Sequence, residues 1–192
     1  VENPVLTNEA NLGKFVKLLS ALRGTKTRLV FASSSSVYGG AKKLPTPISC
    51  RKNPKSPYAL QKSACEDYCA LFSEIYGIDT VCLRYFNVFG ARQRGNHPYA
   101  TVVIAWIDAA IDGRELRFDG DGEQTRDHCP VENVVDANIT AMNYHGKFAG
   151  RCLNVACGVQ TSNNLILETL RQHFPELKVK NLPLRIGDVK HS

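Results

Sequence analysis

The sequence predicts an α/β fold built around a parallel sheet. Short apolar runs of β type alternate with longer runs of helical period, and the helical runs open on Ser-Pro or stop at Gly. With 192 residues, 43% of them apolar, the chain can bury one sizeable core or two small lobes. Asn11 to Leu22 sets Leu12, Phe15, Val16, Leu18, Leu19 and Leu22 on one helical stripe, and Gly24 ends it before the strand-like Arg28 to Ala32. Gly39, Gly40, Pro45, Pro47, Pro54 and Pro57 mark a loop. Ser56-Pro57 then opens a helix that runs to Tyr76 and is capped by Gly77. Thr80 to Phe86 reads as a second buried strand, Ala91 to Pro98 as a polar basic loop, and Thr101 to Asp112 as a helix stopped by Gly113. Glu115 to Phe118 is a short strand before Gly120-Asp-Gly122. Beyond it come a helix over Glu132 to Tyr144, a strand over Cys152 to Ala156, a helix over Thr161 to Phe174 and a strand over Leu177 to Lys180.

Composition excludes whole classes of function. The apolar content is too high for a disordered chain. The longest uncharged apolar run, Tyr99 to Ile107, falls far short of the roughly 18 residues a membrane helix needs. The first residues lack the basic and apolar segments of a secretory signal, so a soluble cytoplasmic protein with no membrane partner is expected. Cys50, Cys65, Cys69, Cys82, Cys129, Cys152 and Cys157 are odd in number and show no CxxC spacing, which argues for reduced packing cysteines rather than a disulfide scaffold or zinc ribbon. Cys65 and Cys69 lie one helical turn apart, but two ligands without a nearby His pair make a poor site, and no metal is expected. The net charge of +6 comes from Lys and Arg scattered along the chain, without a basic tail. A phosphate-bearing small molecule accounts for it as well as a nucleic acid would, and no nucleic-acid partner is assigned.

In open parallel sheets, ligands bind outside the carboxyl ends of the strands. Here those ends are Ser33 to Tyr38 and Asn87 to Gly90, both rich in Ser, Asn and Gly. Tyr58 and Lys62 stand at i and i+4 and project from one helix face. A free tyrosine, with a pKa of about 10, is a weak base at neutral pH, but a neighbouring ammonium and an oxidised nicotinamide favour the phenolate. Tyr58 could then accept a proton from a substrate hydroxyl that Ser34, 24 positions upstream, holds by a hydrogen bond. A Tyr and a Lys at this spacing, taken alone, read as core plus solvated charge, and the Ser-rich strand end reverses that reading.

Val30-Phe-Ala-Ser-Ser-Ser-Ser-Val-Tyr-Gly39, Ser56-Pro-Tyr-Ala-Leu-Gln-Lys62, Leu83-Arg-Tyr-Phe-Asn-Val-Phe-Gly90, Gly120-Asp-Gly-Glu-Gln-Thr-Arg-Asp127 and Gly187-Asp-Val-Lys-His-Ser192 follow one another with fitting spacers. Together they resemble the extended short-chain dehydrogenase/reductases. Within that family the likeness is to the NAD-dependent nucleotide-sugar 4-epimerases of the UDP-N-acetylglucosamine/UDP-glucose type. The resemblance implies an incomplete Rossmann-like, doubly wound parallel sheet with a small C-terminal substrate-binding lobe. Residues 1–90 would hold what remains of the NAD-binding domain, and residues 91–192 mostly the substrate lobe, with 131–156 returning to the Rossmann domain. It further implies Tyr58 as general base, Lys62 as the group that lowers its pKa and binds the nicotinamide ribose, and Ser34 as hydrogen-bond partner of the sugar 4-oxygen, assisted by Ser36. Phe86 would meet the nicotinamide and Asn87 the substrate diphosphate. Arg126 would grip that diphosphate bidentately, and Arg185 and Asp188 would hold the nucleotide. Tyr99 and Phe118 would line the cleft, or equally belong to the core. The implied reaction removes the 4-hydroxyl proton as hydride passes to NAD, lets the 4-keto sugar turn over, and returns hydride to its other face.

Related dehydratases and decarboxylases follow the catalytic Ser or Thr with acidic residues, where this chain has Ser35 and Ser36, so epimerisation fits better. Ser192 matches a position where a bulky side chain restricts the pocket to plain hexoses, and its small size leans toward N-acetylhexosamines. His128-Cys129-Pro130 departs from the family's aromatic-Cys-aromatic stretch, and Pro130, which cannot donate to a ladder, is expected to shorten the strand or displace the Arg126 loop. Homodimerisation through the helices Asn11–Leu22 and Tyr58–Tyr76 is also implied. The family's opening strand, glycine turn and helix, which hold the cofactor pyrophosphate, have no counterpart in these residues. Two other readings therefore stay open: a non-catalytic homologue or UDP-sugar-binding partner subunit, and a 4,6-dehydratase or decarboxylase. Titration calorimetry of the 192 residues with NAD is expected to show no detectable binding, and micromolar affinity would overturn the weight placed on the glycine turn.

Overall fold

The computed structural model describes residues 3–40, 43–95, 100–184 and 189–192. Its centre is a three-stranded parallel sheet in the order β1 (Leu29–Ser34), β2 (Thr80–Tyr85), β7 (Arg151–Val155). Strand β2 is central and buried along nearly its whole length, and its alternation sorts residues between two faces. Cys82 enters a core with Phe15, Leu19, Cys65, Cys69, Phe72 and Ile78, while Val81 and Leu83 enter another with Cys129, Ala141 and Val155. Helices cover both faces, as a doubly wound sheet requires. Helix α2 (Lys14–Ala21) and α3 (Pro57–Tyr76) share the first core, and α5 (Val131–Asn143) packs against β1, β2 and β7 at the second. A third core, of Trp106, Ala109, Leu116, Phe118, Leu167 and Leu170, joins α4 (Val102–Ile111) and α6 (Asn163–His173) to β4 (Leu116–Asp119), which pairs in parallel with β9 (Val179–Leu182).

The bounds of α3 follow from its local chemistry. Ser56 caps it by accepting a hydrogen bond from the Ala59 N–H at 3.2 Å, Pro57 supplies the first helical φ, and Gly77 closes it in the left-handed region at φ 69°. The first helical stretch begins earlier than its apolar stripe suggests. Asn3 caps α1 (Pro4–Asn8), and a π-helical turn over Glu9–Gly13 joins it to α2. In the later helix, Thr161 and Ser162 form a two-residue strand, β8, and Ser162 caps α6 through Leu165 N. Short strands also supply β3 (Asn87–Phe89), β5 (Thr125–Arg126) and β6 (His128–Pro130). Strand β3 pairs in parallel with β6, and β5 runs antiparallel to β8. Pro130 ends the three-residue β6 opposite Phe89 and stands directly before the first residue of α5. Its missing N–H falls where the ladder stops.

Two charge clusters, one buried and one half-buried, fix these pieces. Arg84 on β2 and Glu66 on α3, 5% and 2% exposed, meet through paired bonds of 2.8 and 2.7 Å. Ser33 donates to Glu66 at 2.6 Å, Arg84 donates to the Tyr38 hydroxyl at 2.8 Å, and Tyr38 donates to Asn154 on β7 at 2.7 Å. At the opposite end of the sheet, Arg28 pairs with Asp79 at 2.7 Å and donates to the carbonyls of Ala141 and Tyr144, so that a cation closes the C-terminal end of α5. The seven cysteines are free thiols, and none of the helices among the described residues is long and apolar enough to cross a membrane.

Burial disfavours the charge on Glu66, but hydrogen bonds from Arg84 and Ser33 and the charges of Arg84 and Lys52 outweigh it and hold the carboxyl below its ordinary value. The native state therefore binds that proton less readily than the unfolded chain. Its stabilisation is full above the unfolded carboxyl pKa of about 4.3 and drains away as pH falls through the lower native value. Glu66→Gln, which leaves Arg84 buried and uncompensated, is expected to cost about 3–5 kcal/mol in denaturant unfolding, and Glu66→Met with Arg84→Met together should cost less.

Candidate functional site

The carboxyl ends of β1 and β2 and the first turn of α3 come together on one side of the sheet. At the end of β1, Ser34 Oγ accepts from the Ser36 N–H at 3.2 Å and so caps a 3-10 turn over Ser35–Tyr38. Gly39 follows at φ 61°, and a Cβ there would stand 1.8 Å from the Asn53 carbonyl oxygen, so the close pass of these two segments admits only glycine. The result is a cavity of about 310 Å³ that gathers Ser34, Ser36, Phe86, Asn87, Arg126 and Ser192.

Tyr58 and Lys62 project from α3 as their spacing predicts. The Lys62 ammonium donates to the Ala32 carbonyl at 2.7 Å and lies 4.7 Å from the Phe31 ring centre and 5.7 Å from that of Tyr58. Burial lowers the Lys62 pKa from its ordinary value. Tyr58 itself is 48% exposed. Both line a cavity of about 250 Å³ with Phe31, Gln61 and Asn11, whereas Ser34 lines its own cavity with Ser56 and Ala59, the residue next to Tyr58. Ser34 and Tyr58 thus flank the first turn of α3, and among the described residues no hydrogen bond joins them.

The diphosphate candidates cluster along β3, β5 and β6. Asn87 donates from its side chain to the Asp127 carbonyl at 3.2 Å, and Arg126 donates to the carbonyls of Thr125 and Lys190 at 2.9 and 3.2 Å. Asp127 is turned to the other side, where its carboxylate accepts from the N–H groups of Cys157 and Gly158 at 2.8 and 2.6 Å. The last residues of the chain run beside this segment, with Ser192 N donating to Thr125 O and Ser192 O accepting from Asp127 N. That pairing brings Ser192 between the cavity of Ser34 and a third one, of about 500 Å³, shared with Phe86, Asn154 and Cys157.

Phe118 does not line a cleft. It is 6% exposed and stacks on Trp106 with ring centres 5.5 Å apart, because its alternation on β4 points it into the third core. Its neighbours Leu116, Arg117 and Asp119 line a cavity of about 600 Å³, together with Asn87, Arg126 and His128. Tyr99, Arg185 and Asp188, expected on the nucleotide, lie outside the described residues. Sequence reasoning passed over Asn11, Thr101, Gln124 and the lining role of His128. Asn11 had no signal, since nothing in an apolar stripe marks a π-helical turn. The buried side-chain oxygens and nitrogens without partners among the described residues belong to Ser36, Thr101, Gln124 and His128, and each of these residues lines one of the two cavities that Asn87 and Arg126 share. Unsatisfied buried groups of this kind are what a polar ligand would complete.

Residues 1–156 match the model of the NAD dependent epimerase/dehydratase family. A putative UDP-glucose 4-epimerase of Methanocaldococcus jannaschii is 35% identical over 176 residues, which are 91% of this chain and 56% of that protein. The structure of a UDP-N-acetylglucosamine 4-epimerase from Methanobrevibacter ruminantium, in complex with UDP-N-acetylmuramic acid, superposes with a TM-score of 0.93 at 39% identity, covering 100% of this chain and 62% of that one. A UDP-glucose 4-epimerase of Thermus thermophilus in complex with NAD gives a TM-score of 0.89 at 32% identity, covering 100% and 63%. The chain thus spans about three fifths of the length of these relatives. Because the Tyr58 hydroxyl is not buried in any core, Tyr58→Phe is expected to leave thermal unfolding within about 0.5 kcal/mol of the parent.

Proposed function

The chain belongs to the NAD dependent epimerase/dehydratase family, and from that premise we propose that it carries the catalytic part of an NAD-dependent UDP-sugar 4-epimerase. The observation that carries this reading is the Tyr58–Lys62 pair on one face of α3, beside the Ser-lined cavity at the end of β1. In it, Ser34 orients the sugar 4-hydroxyl by a hydrogen bond, and Tyr58 removes that proton and later gives it back. Lys62 keeps positive charge next to the phenol, which favours the phenolate. An ammonium has three donors, and among the described residues Lys62 commits one, to Ala32, so it retains donors for a ribose hydroxyl. That free capacity at the open edge of β1 suits NAD, which when bound supplies the acceptor and donor of hydride at C4. Asn87 and Arg126 take the diphosphate, and Phe86 meets the cofactor.

The lining of the Ser34 cavity contains no Asp or Glu among the described residues, which favours epimerisation over a dehydratase or decarboxylase that needs further proton carriers. Ser192 stands where that cavity meets the one of about 500 Å³, and this supports a substrate with an N-acetyl group at C2. The relative bound to UDP-N-acetylmuramic acid points the same way. Residues 1–90 with 131–156 are read as the cofactor domain, and the exposed Leu18, Leu71 and Ile75 on α2 and α3 suit homodimerisation through those helices.

Joined behind the glycine-turn unit of one of these relatives and supplied with NAD, the chain is expected to interconvert UDP-N-acetylglucosamine and its 4-epimer, read by proton NMR of the products. Tyr58→Phe should lower kcat by about 10²–10⁴-fold with little change in KM. Loss of water or carbon dioxide instead of inversion would replace the reading with an elimination or decarboxylation.

A further inference from the structure

His128 is the most unusual side chain of the cavity of about 600 Å³. Both of its ring nitrogens are buried and without a hydrogen-bond partner among the described residues, and its ring stands edge-on to Phe89 at 6.3 Å between centres. Its Cα partner across the β3–β6 ladder is Asn87, and Arg126 is two residues before it. Alternation therefore sets Arg126, Asn87 and His128 toward one cavity, while Asp127 between them is spent on the 157–158 turn.

We propose that His128 contacts the ligand of this cavity, bonding the diphosphate of a nucleotide sugar beside Arg126 and Asn87, and that it takes up a proton as it does so. The inference rests on the UDP-sugar reading above and adds a residue and a pH dependence to it. A neutral imidazole offers one donor and an imidazolium two, so an anion between Arg126 and His128 selects the protonated ring. The protein alone has the opposite effect: burial first, and then the charge of Arg126, lower the His128 pKa, with Asp127 pulling the other way. Across the cavity the charges come in part as pairs, Arg114 with Asp112 at 2.8 Å and Arg117 with Asp119 at 2.6 Å, with Glu115 beside them. Strand β3 presents no titratable group, and α5 carries Glu132 in its first turn. The bound diphosphate is thus the new charge that moves the imidazole upward. Affinity should rise as pH falls through the bound-state pKa and level off below the free-state one.

The probe is UDP-glucose, whose diphosphate diester keeps its charge over the range used, titrated into the 192-residue chain by calorimetry from about pH 5.5 to 8 in buffers of different ionisation heat. The expected result is net proton uptake near neutrality and tighter binding at low pH, about tenfold for each unit by which the ligand raises the imidazole pKa. His128→Phe, which keeps the ring against Phe89, should bind more weakly at low pH with a flat profile. His128→Gln, which keeps a donor, should also be flat but stay close to the parent at high pH. Binding without proton uptake in the parent, or an unchanged profile in both variants, overturns the role of His128 and leaves the UDP-sugar reading standing. No binding at any pH overturns both.

Discussion

The pairing of Arg84 with Glu66 is the constraint on which the site depends. It joins the central strand to the helix that carries Tyr58 and Lys62, and through Ser33 and Tyr38 it reaches the end of β1 on one side and Asn154 of β7 on the other. Two charges shielded from water to this degree hold their partners in one geometry, because any other leaves an ion unpaired in a low-dielectric interior. The C-terminal ends of all three strands are thereby set relative to α3 by directional bonds, whereas the apolar clusters beneath them could accept small slides. The proposed placement of a hydroxyl, a phenol and an ammonium around one sugar would demand that kind of fixity.

Below this cluster the sheet divides its labour by parity. Even positions of β2 face α3 and odd ones face α5, so the two helical layers are specified by one short strand. Beyond β2 the chain passes directly into β3, which brings Phe86 and Asn87 from the sheet into the region shared with β6. The two cavities that Asn87 and Arg126 share open along that passage.

Much of this was legible in the residues. Ser56, Pro57 and Gly77 delimit α3 to the residue because a cap, a fixed φ and a left-handed stop are local chemistry. The spacing of Tyr58 and Lys62 sets both on one face of α3 for the same reason. What could not be read were strands of two or three residues, since β5, β6 and β8 are too short to show a period and exist only through their partners. Phe118 stayed open between cleft and core because the direction of a β4 side chain depends on Trp106, a residue on another element. The Arg84–Glu66 pair was hidden as well, for nothing in either segment announces a contact 18 positions away.

The alternation across residues 126–128 separates two kinds of evolutionary freedom. Asp127 is tied through its carboxylate to backbone amides and is answerable to the fold, while Arg126 and His128 on either side line the cavity. Under the proposed reading, descendants of this chain can retune anion preference at His128 while the carboxylate of Asp127 keeps the loop anchored.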